Sequence, residues 1–240
     1  MPTNPQEEFW KGSNGDRYLE RNFDEGERYQ IRRPFYELFE EFPHRDYSIL
    51  EVGCNCGINL QILKRLGFNN VAGIDIHPGA IEEAEQRLPG TPLRVGSLLE
   101  LPFEDCAFDI VFSSGVLIHQ DPHNSLFRAM DEMYRVAGKY IIGFEEYCEE
   151  TVTVEDYSPE TVGIDGVPPG FYWRAPYSTY WQDPGVYTWK SKKRVTASPP
   201  PYSYMHAGNF GGTVHLNELE LPKQKRRTWL REYYKFEKGK

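Results

Sequence analysis

ILEVGCNCGINLQIL, residues 49–63, is an apolar run that stops at a carboxylate, followed by a loop with Gly53 and Gly57 and then an amphipathic stretch. A strand, a tight turn and a helix in immediate succession account for that pattern. On both sides the alternation continues. Apolar runs at 47–53, 70–76, 92–97, 108–115 and 139–146 read as strands, and helical spacing appears at 57–66, 78–87 and 122–136. The stretch 98–107 reads mostly as loop. Strands that alternate with helices build a parallel sheet covered on both faces. Right-handed crossovers then give an α/β, Rossmann-like, doubly wound and mostly parallel sheet. A sheet of this kind opens its ligand crevice at the carboxyl ends of the strands, beside the first one. That gathers the glycine loop, Asp75, Ser97 and the stretch Ser113–His119 around one site.

Before the alternation, apolar residues recur near helical spacing over 17–42, interrupted by Pro34, which implies two helices or a kink. Residues 1–44 therefore read as a helical cover and 45–150 as the ligand-binding core. Residues 151–240 read as a substrate-facing elaboration that completes the same domain, with short strands and loops packed on the sheet, a lid being one form it could take. Ten aromatics fall between Phe171 and Tyr204, a composition unlike that of disordered chains. Residues 228–238 form a final strand or helix; periodicity does not decide between them.

The net charge of −9 is uneven: residues 1–150 hold 14 Lys and Arg against 27 Asp and Glu. An acidic body argues against general nucleic-acid binding, which needs a basic track. The basic runs at 190–194 and 223–227 read as solvated surface, with a site for a local anionic partner as the alternative. The beginning is polar, no run approaches membrane-spanning length, and four cysteines follow no regular framework. These features point to a cytoplasmic protein with reduced thiols and no membrane partner.

Cys54 and Cys56 supply two thiolates where a closed zinc site needs four ligands, so no metal is expected. The Lys-Ser/Thr pair of a P-loop is absent, and Asn55 and Ile58 stand where a dinucleotide fingerprint requires glycine. What remains is E-x-G-x-x-x-G with Asp75 ending the second strand, 22 positions beyond Gly53. A carboxylate at that place accepts ribose hydroxyls, and Glu51 can face a cationic group such as an α-amine. A ligand with a ribose and a positive charge, and no need of a phosphate cradle, fits S-adenosylmethionine.

LEVGCNCG (50–57), GIDIHPGAIEEA (73–84), GSLLELPFEDCAFDIV (96–111) and SSGVLIHQDP (113–122) together resemble class I S-adenosylmethionine-dependent methyltransferases. The chain departs from the family pattern in lacking a third glycine in the first loop and in carrying Ser97 where many members have an acidic residue. EEFWKGSNGDRYLERN (7–22) with GVLIHQDP further resembles the methylases associated with pseudaminic acid biosynthesis, although the tail after 150 does not. The resemblance implies a cofactor set of Glu51, Gly53, Asn55, Gly57, Asp75, Ile76, Ser97, Leu98, Ser114 and Gly115. It adds Tyr18 and Arg21 from the cover, near the methionine end. His119, just past the fourth strand, is the first candidate base, since an imidazole of ordinary pKa, about 6.5, suits that task. Glu145 and His206 are further candidates. Glu146 and the aromatics Tyr172, Trp173, Tyr177, Tyr180 and Trp181 are expected to line the pocket of a small-molecule acceptor. The implied reaction methylates an amino or hydroxyl group of a small polar metabolite, a sugar nucleotide among them. A methylase of another small metabolite, and a non-catalytic cofactor-binding subunit, are the alternatives.

Overall fold

The computed structural model describes residues 4–20, 35–147, 152–153, 171, 173–174, 177–180, 189–197 and 230–238. Five strands in chain order form the parallel part of the sheet: β1 (Ile49–Val52), β2 (Val71–Asp75), β3 (Leu93–Val95), β4 (Phe108–Ser114) and β5 (Ala137–Tyr147). A short hairpin follows, β6 (Val152–Thr153) with β7 (Trp173–Arg174). The last two strands, β8 (Trp189–Ala197) and β9 (Leu230–Lys238), extend the sheet antiparallel to their neighbours. The order across the sheet is β3-β2-β1-β4-β5-β9-β8. Residues 230–238 are thus strand, not helix, and the elaboration contributes long strands to the sheet itself. The chain reverses direction across the sheet between β1 and β4, which opens a crevice at their carboxyl ends.

Helices α1 (Pro5–Lys11) and α2 (Ser13–Glu20) precede α3, at 35–40. They are followed by α4 (Ile58–Arg65), α5 (Pro78–Arg87) and α6 (Leu126–Val136). Local chemistry fixes several ends. Asn4 caps α1 by accepting from the Gln6 and Glu7 amides, with Pro5 in the first turn. The His77 Nδ1 caps α5 at 3.0 Å from the Ala80 amide, again with proline following. Helix α6 starts at Leu126, later than the apolar pattern from 122 predicts. Asp121 holds 121–125 in a turn, its carbonyl accepting from the Ser125 and Leu126 amides.

Alternation along the strands sends side chains to two cores. Leu50, Val52, Ala72, Ile74, Val111 and Ile141 meet Leu126, Ala129, Met130 and Met133 of α6 on one face. Ile49, Ile110, Phe112, Ile142 and Phe144 meet α3 and α4 on the other, through Phe35, Phe39, Leu60 and Leu63. Between β3 and β4 the loop is ordered by Arg135, which donates to the Leu101 and Phe103 carbonyls and pairs with Glu132 and Asp105. No described helix is long and apolar enough to cross a membrane.

Candidate functional site

A cavity lies at the carboxyl ends of β1, β2 and β4, with α1 and α2 above it. Gly53, Asn55, Asp75, Ile76, Leu98, Ser114 and Gly115 all line it, as does Tyr18 from the cover. Gly53 has φ +68°, and a Cβ there would come within 2.5 Å of Val116 Cγ2, so only glycine lets the two loops meet. Asn55 adopts φ 48°, and its amide donates to Asp75 Oδ2 at 2.8 Å. Asp75 Oδ1 accepts from the His77 amide at 2.9 Å. These bonds hold the carboxylate at the end of β2 facing the cavity. Burial pushes the Asp75 carboxyl up, and the two amides pull it back toward ionisation. A carboxylate so placed keeps lone pairs for vicinal hydroxyls, while Ile74, Ile76 and Leu98 offer apolar walls. The residues present fit a ribonucleoside without phosphate.

Other expected contacts fall elsewhere. Glu51 is 1% exposed and does not line the cavity. Its Oε1 accepts from Asn59 Nδ2, and the Tyr36 hydroxyl donates to Asn59 Oδ1 at 2.7 Å. Asn59, which does line the cavity, stands between Glu51 and the ligand space. Gly57 also lies off the cavity. Its φ of +75° starts α4, and a Cβ would come within 2.8 Å of Leu88 Cδ1, so its demand is helix packing. The Ser97 hydroxyl donates to Glu7 of α1 and accepts the Leu99 amide, which ties the cover to the β3 loop and takes this hydroxyl off the lining.

His119 lines the cavity in a single 3-10 turn, Leu117–His119. A carbonyl only accepts, so the Nδ1 proton points to Phe171 O at 3.3 Å, and Nε2 carries the lone pair. Burial lowers its pKa from 6.5 to about 4, countered in part by that bond. The expectation of an unperturbed imidazole is corrected: the ring is neutral at physiological pH, and a weak base. Glu145 is also corrected from the crevice rim. It is 1% exposed, behind β4, accepting from Ser113 Oγ at 2.8 Å and the Val116 amide at 3.1 Å. Burial raises its pKa from 4.5 to about 7, against the Ser113 hydroxyl and the amides of Val116, Leu117 and Ile118. It anchors the turn that carries His119.

Tyr177 is wholly buried in the α6 core, and Tyr180 packs on the same cluster with its ring 5.3 Å from Phe127. Neither roofs the cavity, because the apolar face of α6 claims them. Trp173 and Glu146 are placed as backbone only, in β7 and β5. Arg21, Tyr172, Trp181 and His206 lie outside the described residues. Sequence reasoning missed Gln6, Glu7, Asn59, His77, Gln120 and Phe171. The His77 Nε2 lies 3.1 Å from Asp16 Oδ1, which fastens α2 to α5. Phe171 packs on Phe9 at 5.2 Å, and Trp10 on His119 at 4.4 Å. Cys54 and Cys56 are both buried free thiols, and burial pushes the Cys54 thiol up. Among the described residues no cluster of His, Cys, Asp and Glu could hold a metal ion.

Comparison with known proteins accords with this geometry. Residues 50–142 match the family described as Methyltransferase domain. A malonyl-[acyl-carrier protein] O-methyltransferase of Ilyobacter polytropus is 28% identical over 145 residues, 55% of this chain and 52% of that protein. A tRNA U34 carboxymethyltransferase of Shewanella halifaxensis is 36% identical over 107 residues, 42% of this chain and 32% of that protein. The chain thus spans about half or less of these relatives' lengths. Among solved structures, magnesium protoporphyrin IX methyltransferase from Synechocystis PCC 6803 with bound SAH superposes with a TM-score of 0.61 at 14% identity. That superposition covers 96% of this chain and 97% of the other, and it shows the shared fold.

Proposed function

We propose, from the match of residues 50–142 to the family described as Methyltransferase domain, that this chain transfers the methyl group of S-adenosylmethionine to a small polar acceptor. The observation that carries the reading is Asp75, fixed by the Asn55 and His77 amides in a cavity wall that Ile76 and Leu98 also line. Asp75 would receive the ribose hydroxyls, Ile76 and Leu98 would flank the adenine, and Gly53, Asn55, Ser114 and Gly115 would follow the methionine portion. The relatives' names span acyl-carrier, tRNA and porphyrin acceptors, so the acceptor has to be read from this chain's own residues. The sugar-nucleotide acceptor rests on the resemblance of residues 7–22 and the stretch GVLIHQDP.

When bound, the cofactor supplies a methyl already activated on a sulfonium. The protein's share is then alignment and the exclusion of water. Trp10 and Tyr18 of the cover close the cavity from above, their rings 5.5 Å apart. His119, neutral and tautomerically fixed, presents an uncharged ring beside the acceptor and removes no proton in advance. Residues 1–44, 45–150 and 151–240 act as cover, core and elaboration of one domain, with β8 and β9 closing its sheet.

Calorimetric titration of the full chain with S-adenosylmethionine and S-adenosylhomocysteine tests the reading, with NAD as control. Both sulfur ligands bind, NAD does not, and Asp75→Ala lowers their affinity by about tenfold or more, the loss of charge-assisted bonds to hydroxyls. Equal affinity in the variant, or preference for NAD, refutes it.

A further inference from the structure

Trp10, His119 and Gln120 all line the cavity, and their chemistry narrows the acceptor. Gln120 is 8% exposed, lines the cavity, and its Oε1 is fully buried with no hydrogen-bond partner. Trp10 Nε1 is likewise buried and unpartnered, on a ring 4.4 Å from the His119 imidazole next in sequence to Gln120. A buried polar atom without a partner costs roughly 1–3 kcal/mol. One acceptor and one donor left unmade in the lining of one cavity are therefore a recognition pair for a ligand.

The class of group that satisfies both follows by elimination. An ammonium donates but cannot accept from the indole N–H. An ionised carboxylate or phosphate accepts but cannot donate to the carboxamide oxygen. Such an anion would also find no Lys or Arg among the described lining residues, whose formal charges are those of Glu7 and Asp75. A hydroxyl does both with one oxygen at neutral pH, where an aliphatic amine is held as the ammonium, and the neighbouring His119 ring adds a flat, uncharged wall. Resting on the methyltransferase reading, we infer that Trp10 and Gln120 form the acceptor subsite, and that it takes a neutral hydroxyl, on a sugar or a phenol, with no carboxylate or phosphate beside it.

The test uses the full chain saturated with S-adenosylhomocysteine and ligand-observed NMR titrations of phenol, methyl glucoside, anisole and benzoate. Phenol or methyl glucoside binds, and whichever of the two binds identifies the source of the hydroxyl. The bound hydroxyl probe is favoured about tenfold over benzoate and, for phenol, over its methyl ether, since a site built to bond a hydroxyl rejects analogues lacking it. Gln120→Leu lowers the probe's affinity about fivefold with S-adenosylhomocysteine affinity held within twofold. Gln120→Glu, which keeps an accepting oxygen, restores hydroxyl binding, and Trp10→Phe weakens it. Binding of anisole or benzoate as strong as phenol overturns the inference. So does indifference to Gln120→Leu, or failure of both hydroxyl probes on the cofactor-loaded chain. Failure of S-adenosylhomocysteine itself to bind the wild-type chain is a different result, which removes the cofactor reading and the subsite with it.

Discussion

Gly53 and Gly57 stand four residues apart with almost the same backbone angle, yet they answer to different neighbours. Gly53 abuts Val116 at the cavity wall, whereas Gly57 abuts Leu88 in the packing of α4 against α5. Alanine at either place forces a left-handed residue and costs about 1–2 kcal/mol of stability. The two variants differ in what else they lose. Gly53→Ala weakens S-adenosylhomocysteine binding at least tenfold, because Val116 is driven into the ligand space. Gly57→Ala lowers Tm by several degrees and leaves affinity near wild type, as calorimetry beside thermal denaturation would show. Both glycines were legible from the loop's spacing, but the difference between them was not, because it depends on residues 31 and 63 positions distant. The same holds for Glu51 and Ser97: sequence placed each at a strand end, and the tertiary partners Asn59 and Glu7 decided which way each side chain is engaged.

Two buried groups of opposite habit meet where β4 turns into the 3-10 segment. Glu145 of β5 has its folded pKa raised from 4.5 to about 7. Its contribution to stability is therefore full below the unfolded pKa and is lost as pH rises toward 7. His119 has its pKa lowered from 6.5 to about 4, so its contribution is present above 6.5 and is lost as pH falls toward 4. At about 1.4 kcal/mol per pKa unit, the Glu145 effect is about 3 kcal/mol. The His119 effect is discounted to about 2 kcal/mol because part of the ring remains open to the cavity. The slopes offset one another over roughly pH 4.5–6.5, and wild-type Tm stays nearly level there from these two groups. Glu145→Gln unmasks a Tm that rises with pH, and His119→Phe one that falls; parallel profiles for all three proteins would contradict the assignment. Element ends were legible where capping chemistry is local. Helix α5 was read correctly as 78–87 from its helical spacing, and Pro78 after the His77 cap fixes its start. Helix α1 went unread although Asn4-Pro5 marks its start, because its seven residues give too little periodicity.

Strands alternating with helices in the first 150 residues sufficed to infer a doubly wound parallel sheet, because every β-α-β unit there is local in sequence. The far edge was beyond that logic. β9 returns from residue 230 to lie against β5, pairing Tyr140 with Glu237 through Tyr147 with Leu230, and no local pattern announces a partner some 90 residues away. The consequence concerns the whole chain. β5 carries Ile141, Ile142 and Phe144 into both cores, and Phe236 of β9 is buried in the one packed by α6. Lys238 donates to the Tyr134 and Ala137 carbonyls where α6 passes into β5, and Lys235 pairs with Glu41 just beyond α3. Ending the chain at residue 229 removes these ties and leaves the backbone of β5 unpaired along eight residues, an edge that invites association between molecules. We expect the truncated chain to lose cooperative unfolding and to elute as aggregate in size-exclusion chromatography. Phe236→Ala in the full chain, which keeps the backbone ladder and removes only buried ring contacts, lowers stability by about 3–5 kcal/mol and remains dispersed. A truncated chain that unfolds cooperatively and elutes like the full one would show that β5 can serve as an edge, and that β8 and β9 are an addition to a core complete without them.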